Sequence, residues 1–280
     1  MIHNILETES VSYTYPGGRK PALDQLTLQI PQAKKTALLG RNGSGKSTLF
    51  LQLLGLLRPD QGAMRFRGQP YPDNRRGLRA IREEIGLVFQ DPEQQLILNT
   101  PREDVSYGLR NAGVPEGEIR DRVREAINAV GLTHAADTPI HALSLGQKKR
   151  VALAGVMVMR PRVLLLDEPT AYLDRTSERR LLDELARIHD AEGVTMIMAT
   201  HDMNLAYEWA DHCIVIQDGA CVMAGVPGEV FARVAALSDW GLSRPAVLNL
   251  WDAIPERLRH GHLAPKALSD LEDWLRHHLA

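Results

Sequence analysis

Nine residues, Gly40-Arg41-Asn42-Gly43-Ser44-Gly45-Lys46-Ser47-Thr48, place three glycines, a lysine and hydroxyls at a spacing that suits the binding of nucleotide phosphates. Gly40, Gly43 and Gly45 allow the backbone to turn tightly, so that N–H groups around Asn42, Ser44 and Thr48 face the phosphates. Lys46 reaches the β- and γ-phosphates, and the Ser47 hydroxyl serves as a ligand for Mg²⁺. Far downstream, Val163-Leu164-Leu165-Leu166 runs into two adjacent carboxylates. Asp167 suits the Mg²⁺ shell, through a water, and Glu168 suits polarisation of a water for attack. Ser144 and Gln147, three residues apart, match a capping box; that helix start either closes on itself or offers N–H donors to an anion, and the motif is compatible with both. His201 ends an apolar strand, where it can hydrogen-bond a γ-phosphate or simply precede the Asp202 helix cap. Tyr15, beside Pro16-Gly17-Gly18, can stack on a purine or pack as a strand tyrosine, and Tyr13 on the same strand face competes for the role.

Positioning these groups requires specific elements. Thr36-Ala37-Leu38-Leu39 reads as a buried strand feeding the phosphate loop, and Leu49-Phe50-Leu51-Gln52-Leu53-Leu54 as the packed helix leaving it. In an open α/β sheet ligands bind beyond the carboxyl ends of strands, so the acid pair falls near the loop if the two strands are neighbours. Upstream, Val11–Tyr15 and Leu26–Ile30 form an antiparallel pair. Arg58–Gly62 is a turn, Ile85–Phe89 a short strand ending at Gln90, and 91–158 is helical in pattern. In that stretch Ile119, Val123, Ala126, Ile127 and Val130 line one helix face, and the segment reads as an inserted helical subdomain. A helix over 177–190 precedes the strand Val194–Thr200, and Cys213–Ile216 with Cys221–Met223 close a hairpin at Asp218-Gly219. Beyond Gly228 come short helical pieces with Trp240, Trp251 and Trp274; His260, His262, His277 and His278 show no metal-ligand spacing and read as surface residues.

Composition narrows the class. With 280 residues and 44% hydrophobic content the chain can bury a large core, and 33 basic against 35 acidic residues give no electrostatic footprint for nucleic acid or an anionic membrane. Two cysteines that do not face each other in their hairpin suit a reducing compartment. The opening Met1–Glu7 lacks a leader pattern, and the apolar runs are shorter than the roughly 20 residues a membrane span needs, so a cytosolic chain is expected, with any membrane role exercised through a partner.

Taken in order, the phosphate loop, Gln90, the Ser144 motif, the acid pair and His201 resemble the nucleotide-binding subunit of an ABC transporter over roughly residues 5–225. The resemblance implies an α/β fold: a P-loop NTPase core with an N-terminal antiparallel β subdomain, the inserted helical subdomain at about 91–158, and a C-terminal helical extension over 226–280 that helps dimerisation. It makes Gly40–Thr48 the Walker A loop, Gln90 a Q-loop glutamine sensing Mg²⁺ and the water, and Leu143–Gln147 the signature motif. Val163–Glu168 becomes the Walker B strand with its catalytic glutamate, Leu173-Asp174 the D-loop, His201 the switch histidine and Tyr15 the adenine-stacking residue. ATP and Mg²⁺ are the implied substrate and cofactor. Two subunits, expected to be a homodimer, would bind two ATP head to tail, with Ser144, Gly146, Gln147 and Asp174 of one acting on the nucleotide of the other. The sequence departs from the commonest form in carrying Leu145 within the signature and Tyr172 before Leu173-Asp174.

Gln90-Asp91-Pro92-Glu93-Gln94-Gln95-Leu96, the run Gly146–Gly155 and the tail are similar to the ATPases of energy-coupling-factor importers, within them the cobalt (CbiO) type. The partners implied are a transmembrane scaffold of CbiQ type and a metal-binding membrane component of CbiM/CbiN type, on the cytoplasmic face of the membrane. Asp91, Glu93 and Gln95 would then line the groove for the scaffold's coupling helices and face its basic residues. The cargo expected is cobalt, with nickel or a vitamin as alternatives. A soluble ABC ATPase fits less well, since one cassette and no sustained heptads are present, and a small-molecule P-loop kinase has no use for a signature motif.

Overall fold

The computed structural model describes residues 3–279; Met1 and Ile2, the first residues of the opening read for a leader pattern, and Ala280 lie outside them. The strands are β1 (Asn4–Tyr13), β2 (Leu23–Pro31), β3 (Lys35–Leu39), β4 (Gln61–Phe66), β5 (Gln69–Pro70), β6 (Ile85–Val88), β7 (Val163–Asp167), β8 (Thr195–Thr200), β9 (His212–Gln217) and β10 (Ala220–Gly225). The helices are α1 (Lys46–Leu53), α2 (Arg75–Glu84), α3 (Pro101–Asn111), α4 (Glu116–Ala129), α5 (Leu145–Met157), α6 (Arg175–Glu192) and α7 (Met203–Trp209). In the tail they are α8 (Pro227–Ala232), α9 (Val234–Asp239), α10 (Ala246–Ala253), α11 (Glu256–Arg259) and α12 (Leu268–Leu279).

Two sheets result. An antiparallel sheet runs β2-β1-β4-β5, and a second sheet, parallel apart from its edge hairpin, runs β10-β9-β3-β8-β7-β6. The antiparallel pair expected from sequence is thus part of a four-stranded sheet. The missing partner, β4, buries only Met64 and Phe66 among exposed neighbours, so few of its residues carry a core signal. α2 was hidden for a similar reason, because only Leu78 and Ile81 of its arginine-rich sequence are buried.

The strands of the larger sheet alternate their side chains between two cores. Leu38, Leu165, Ile197 and Ile214 pack toward α1 and the antiparallel sheet, while Leu39, Leu166, Met198 and Val215 pack toward the other helices. The second core runs without a break through α3, α4 and α5 to Phe231, Leu248 and Trp251 of the tail. Trp251 and Trp274 meet edge to face at 4.9 Å between ring centroids. His260, His262, His277 and His278 are exposed, and His262 and His278 both lie against Trp274.

The condition attached to the acid pair is not met. β3 and β7 are not neighbours, because β8 lies between them and pairs with both. Their carboxyl ends are therefore roughly 10 Å apart, two strand spacings. The loop after β3 spans that gap by carrying α1's first turn across the end of β8, so the acid pair still faces the loop: Ser47 Oγ donates to Asp167 Oδ2 at 3.0 Å.

Candidate functional site

Gly45 precedes α1 in a left-handed conformation (φ 109°), and no side chain caps the helix. A Cβ there would come within 2.6 Å of the Ala22 carbonyl oxygen, so only glycine fits. The first-turn N–H groups consequently face a cleft of about 440 Å³ lined by Tyr15, Ala22, Asn42, Gly43, Gly45, Lys46, Ser47, Thr48, Gln90, Asp167 and Glu168. Lys46 Nζ donates to the carbonyls of Gly40 (2.7 Å) and Arg41 (3.0 Å). An ammonium has three donors, so one remains for a ligand. Burial pulls the Lys46 pKa down, while Glu168 and Asp167 oppose the fall. Burial likewise pushes Asp167 above the usual carboxylate range; the Ser47 hydroxyl works against this and the Glu168 charge adds to it. Ser47, Asp167 and Gln90 thus present a hard oxygen set, and a carboxylate strained by desolvation and a like charge fits a divalent cation such as Mg²⁺.

Tyr15 lies just past β1, half exposed on the cleft wall, with its hydroxyl 3.3 Å from Thr48 Oγ1. Tyr13 does not compete for a ligand, because its ring is buried in the core and meets Tyr15 edge to face.

Glu168 is held at both ends. Its Oε2 accepts from Gln90 Nε2 at 3.4 Å and lies 3.0 Å from His201 Nδ1. Its backbone has φ 43°, a left-handed conformation that the sequence gives no hint of in a glutamate before proline. Lys149, nearly fully buried, reaches this turn from α5: Nζ donates to Pro169 O at 2.9 Å and to Glu168 O at 3.4 Å. Burial lowers its pKa to about 8, against the pull of Asp91 and Glu168. Sequence reasoning missed this residue, since Lys148-Lys149-Arg150 reads as a surface run; an apolar helix face passing through position 149 was the available signal.

The signature residues are not brought to the cleft of their own chain. Ser144 Oγ accepts from Gln147 N (3.3 Å) and Gln147 Oε1 accepts from Ser144 N (2.8 Å), a complete capping box at the start of α5. Gly146 packs on the first turn of α6, where a Cβ would stand 3.1 Å from the Ser177 side chain. Asp174 caps α6, accepting from Ser177 N and Ser177 Oγ, both at 2.9 Å. Tyr172 just before it is 84% exposed with φ 64°.

The residues expected to line a partner groove behave unequally. Asp91 is exposed, capping the turn Pro92–Gln94 through Glu93 N, and Glu93 pairs with Lys148 of its own chain at 2.6 Å. Gln95 does not face outward as expected. Its amide is consumed within the chain, accepting from Phe89 N (3.1 Å) and donating to Ala152 O (3.3 Å), because the loop after β6 must be tied to α5 to hold Gln90 in place.

The model of the ABC transporter family matches residues 23–171. The chain is 44% identical over 246 residues to the cobalt import ATP-binding protein CbiO of Salmonella paratyphi A, covering 88% of this chain and 90% of that one. It is 41% identical over 253 residues to the energy-coupling factor transporter ATP-binding protein EcfA3 of Clostridium perfringens, covering 90% and 88%. Among solved structures, cbiO1 of Clostridium perfringens, described as part of the ABC transporter complex cbiONQ, matches with a TM-score of 0.78 at 41% identity, covering 89% of this chain and 99% of that one.

Proposed function

The chain belongs to the ABC transporter family and is an ABC-type ATPase, and from that premise we propose that it powers an energy-coupling-factor importer whose cargo is cobalt. The observation that carries the cargo assignment is the 44% identity, across nearly all of both chains, to a cobalt import subunit. A vitamin importer is the second reading, since the relative named for the energy-coupling factor at 41% carries no cargo in its name.

The site supports an in-line hydrolysis in which charge placement does most of the work. Gly40–Thr48 cradles the phosphates, Lys46 turns its third proton toward the β- and γ-oxygens, and Tyr15 offers its ring to the adenine. Ser47, Gln90 and Asp167, the last through water, would hold Mg²⁺, which would neutralise charge on the phosphates. Gln90 and His201 both engage Oε2 of Glu168, leaving Oε1, which has no hydrogen-bond partner among the described residues, to take a proton from the attacking water. Ser144, Gly146, Gln147 and Asp174 lie outside this cleft, and in this reading they act on the ATP of a second copy, so ATP joins two subunits and hydrolysis releases them. The extension at 226–280 supports that dimer. No helix among the described residues is long and apolar enough to cross a membrane; the coupling therefore runs through a transmembrane scaffold of CbiQ type docked near Asp91 and Glu93, with a CbiM/CbiN-type component selecting the metal.

The test is uptake into vesicles containing the subunit reconstituted with its membrane partners. ATP-dependent accumulation of Co²⁺, lost in Glu168→Gln, is expected; uptake of a vitamin without any divalent metal contradicts the cobalt assignment.

A further inference from the structure

Glu168 sits where a glutamate should not rest. It precedes Pro169, which narrows its backbone toward extended conformations, yet its φ is 43°. The consequence is directional: the chain leaves β7 in a sharp turn, the Glu168 carboxylate points to Gln90 and His201, and the carbonyls of Glu168 and Pro169 turn inward. What meets them there is a cation. Lys149 is 2% exposed, and both of its hydrogen bonds go to these two carbonyls. The charged groups facing it are Asp91, from the turn after β6, and Glu168. A buried ammonium is expensive unless its protons are satisfied, so the arrangement ties α5 and the β7 turn to each other.

We propose that Lys149 is a positioning residue for hydrolysis, fixing the left-handed turn that aims the Glu168 carboxylate. This rests on the reading of Glu168 as the group that polarises the water. Lys149 lies on the helix that begins at Ser144, so the element proposed to touch a second copy's nucleotide also grips the turn that hydrolyses its own. A displacement of α5 on closure is thereby passed to Glu168 through one side chain.

The experiment measures steady-state ATP hydrolysis by the full chain. Lys149→Met removes the donor and is expected to lower kcat ten- to hundredfold with KM for ATP within twofold. Lys149→Gln, which can still donate to a carbonyl, should recover to within about threefold of wild type. In a Glu168→Gln background Lys149→Met should leave the ATP-bound dimer intact by light scattering, which separates lost aim from lost fold. A kcat for Lys149→Met within twofold of wild type, a KM that rises in step with the loss, or no rescue by glutamine overturns the proposal. If Glu168→Gln alone turns over ATP at the wild-type rate, the underlying reading of Glu168 fails instead, whatever Lys149 does.

Discussion

Two helix starts in this molecule are built in opposite ways. α1 begins at Gly45, whose lack of a side chain leaves the first-turn N–H groups uncapped and facing the cleft. α5 begins at Ser144 and closes on itself, with Ser144 N and Gln147 N both satisfied by side chains. Orphan N–H donors at a helix start favour an anion. An uncapped start is thus a receptor, whereas the capped one keeps only Leu145 N and Gly146 N for outside use. In the proposed reading the cradle therefore binds phosphate on its own, and the start of α5 is a smaller, preorganised contact that arrives last.

The same contrast extends below the helices. α1 rests on the close approach of Gly45 to the Ala22 carbonyl. α5 rests on charge: Arg150 donates to Val130 O and Gly146 O and faces the buried Glu184 at 3.6 Å. Glu184 is pushed up to about 7 by burial, although Arg150 draws it back.

The comparison can be broken at three points, in decreasing order of effect. Lys46→Ala removes the side-chain cation that lines the cleft at the open start and should weaken ATP binding more than a hundredfold, read by fluorescent-nucleotide titration, with the melting temperature little changed. Ser144→Ala strips the capped start; it should cost about 1 kcal/mol of stability and lower turnover severalfold while leaving ATP binding by the isolated chain unaltered. Loss of binding in that variant would mean the two starts serve the same nucleotide. The smallest effect concerns pH. Between 4.5, the ordinary value, and about 7 the unfolded chain releases the Glu184 proton while the folded chain keeps it, so stability falls as pH rises across that window. Glu184→Gln lacks this titration, and thermal melts from pH 5 to 8 should show the gap between variant and wild type shifting in the variant's favour as pH increases.

What the sequence disclosed follows the same division. The cradle was legible because its chemistry is backbone chemistry at fixed spacing: glycines, a lysine and a hydroxyl within nine residues, between a buried strand and a packed helix. The Asp167-Glu168 pair was legible as residue types, but not its path to the cradle, since strand order depends on β8, a segment some 30 residues further on. The helix face through position 149 hinted that Lys149 is buried, but its partners were not legible, because the turn it holds forms only when α5 meets β7. Gln95 was misjudged for a like reason: a polar residue in a loop looks available until the fold supplies Phe89 N and Ala152 O. β4 and α2 were missed where few of their residues are buried and pattern carries little signal.

The central claim is that the open start and the capped start belong to one site only when two copies meet. Light scattering of Glu168→Gln at saturating Mg-ATP addresses this directly: nucleotide bound and not hydrolysed should hold the chain as a dimer that disperses on dilution into ADP, whereas a species that stays monomeric with ATP bound would contradict the account.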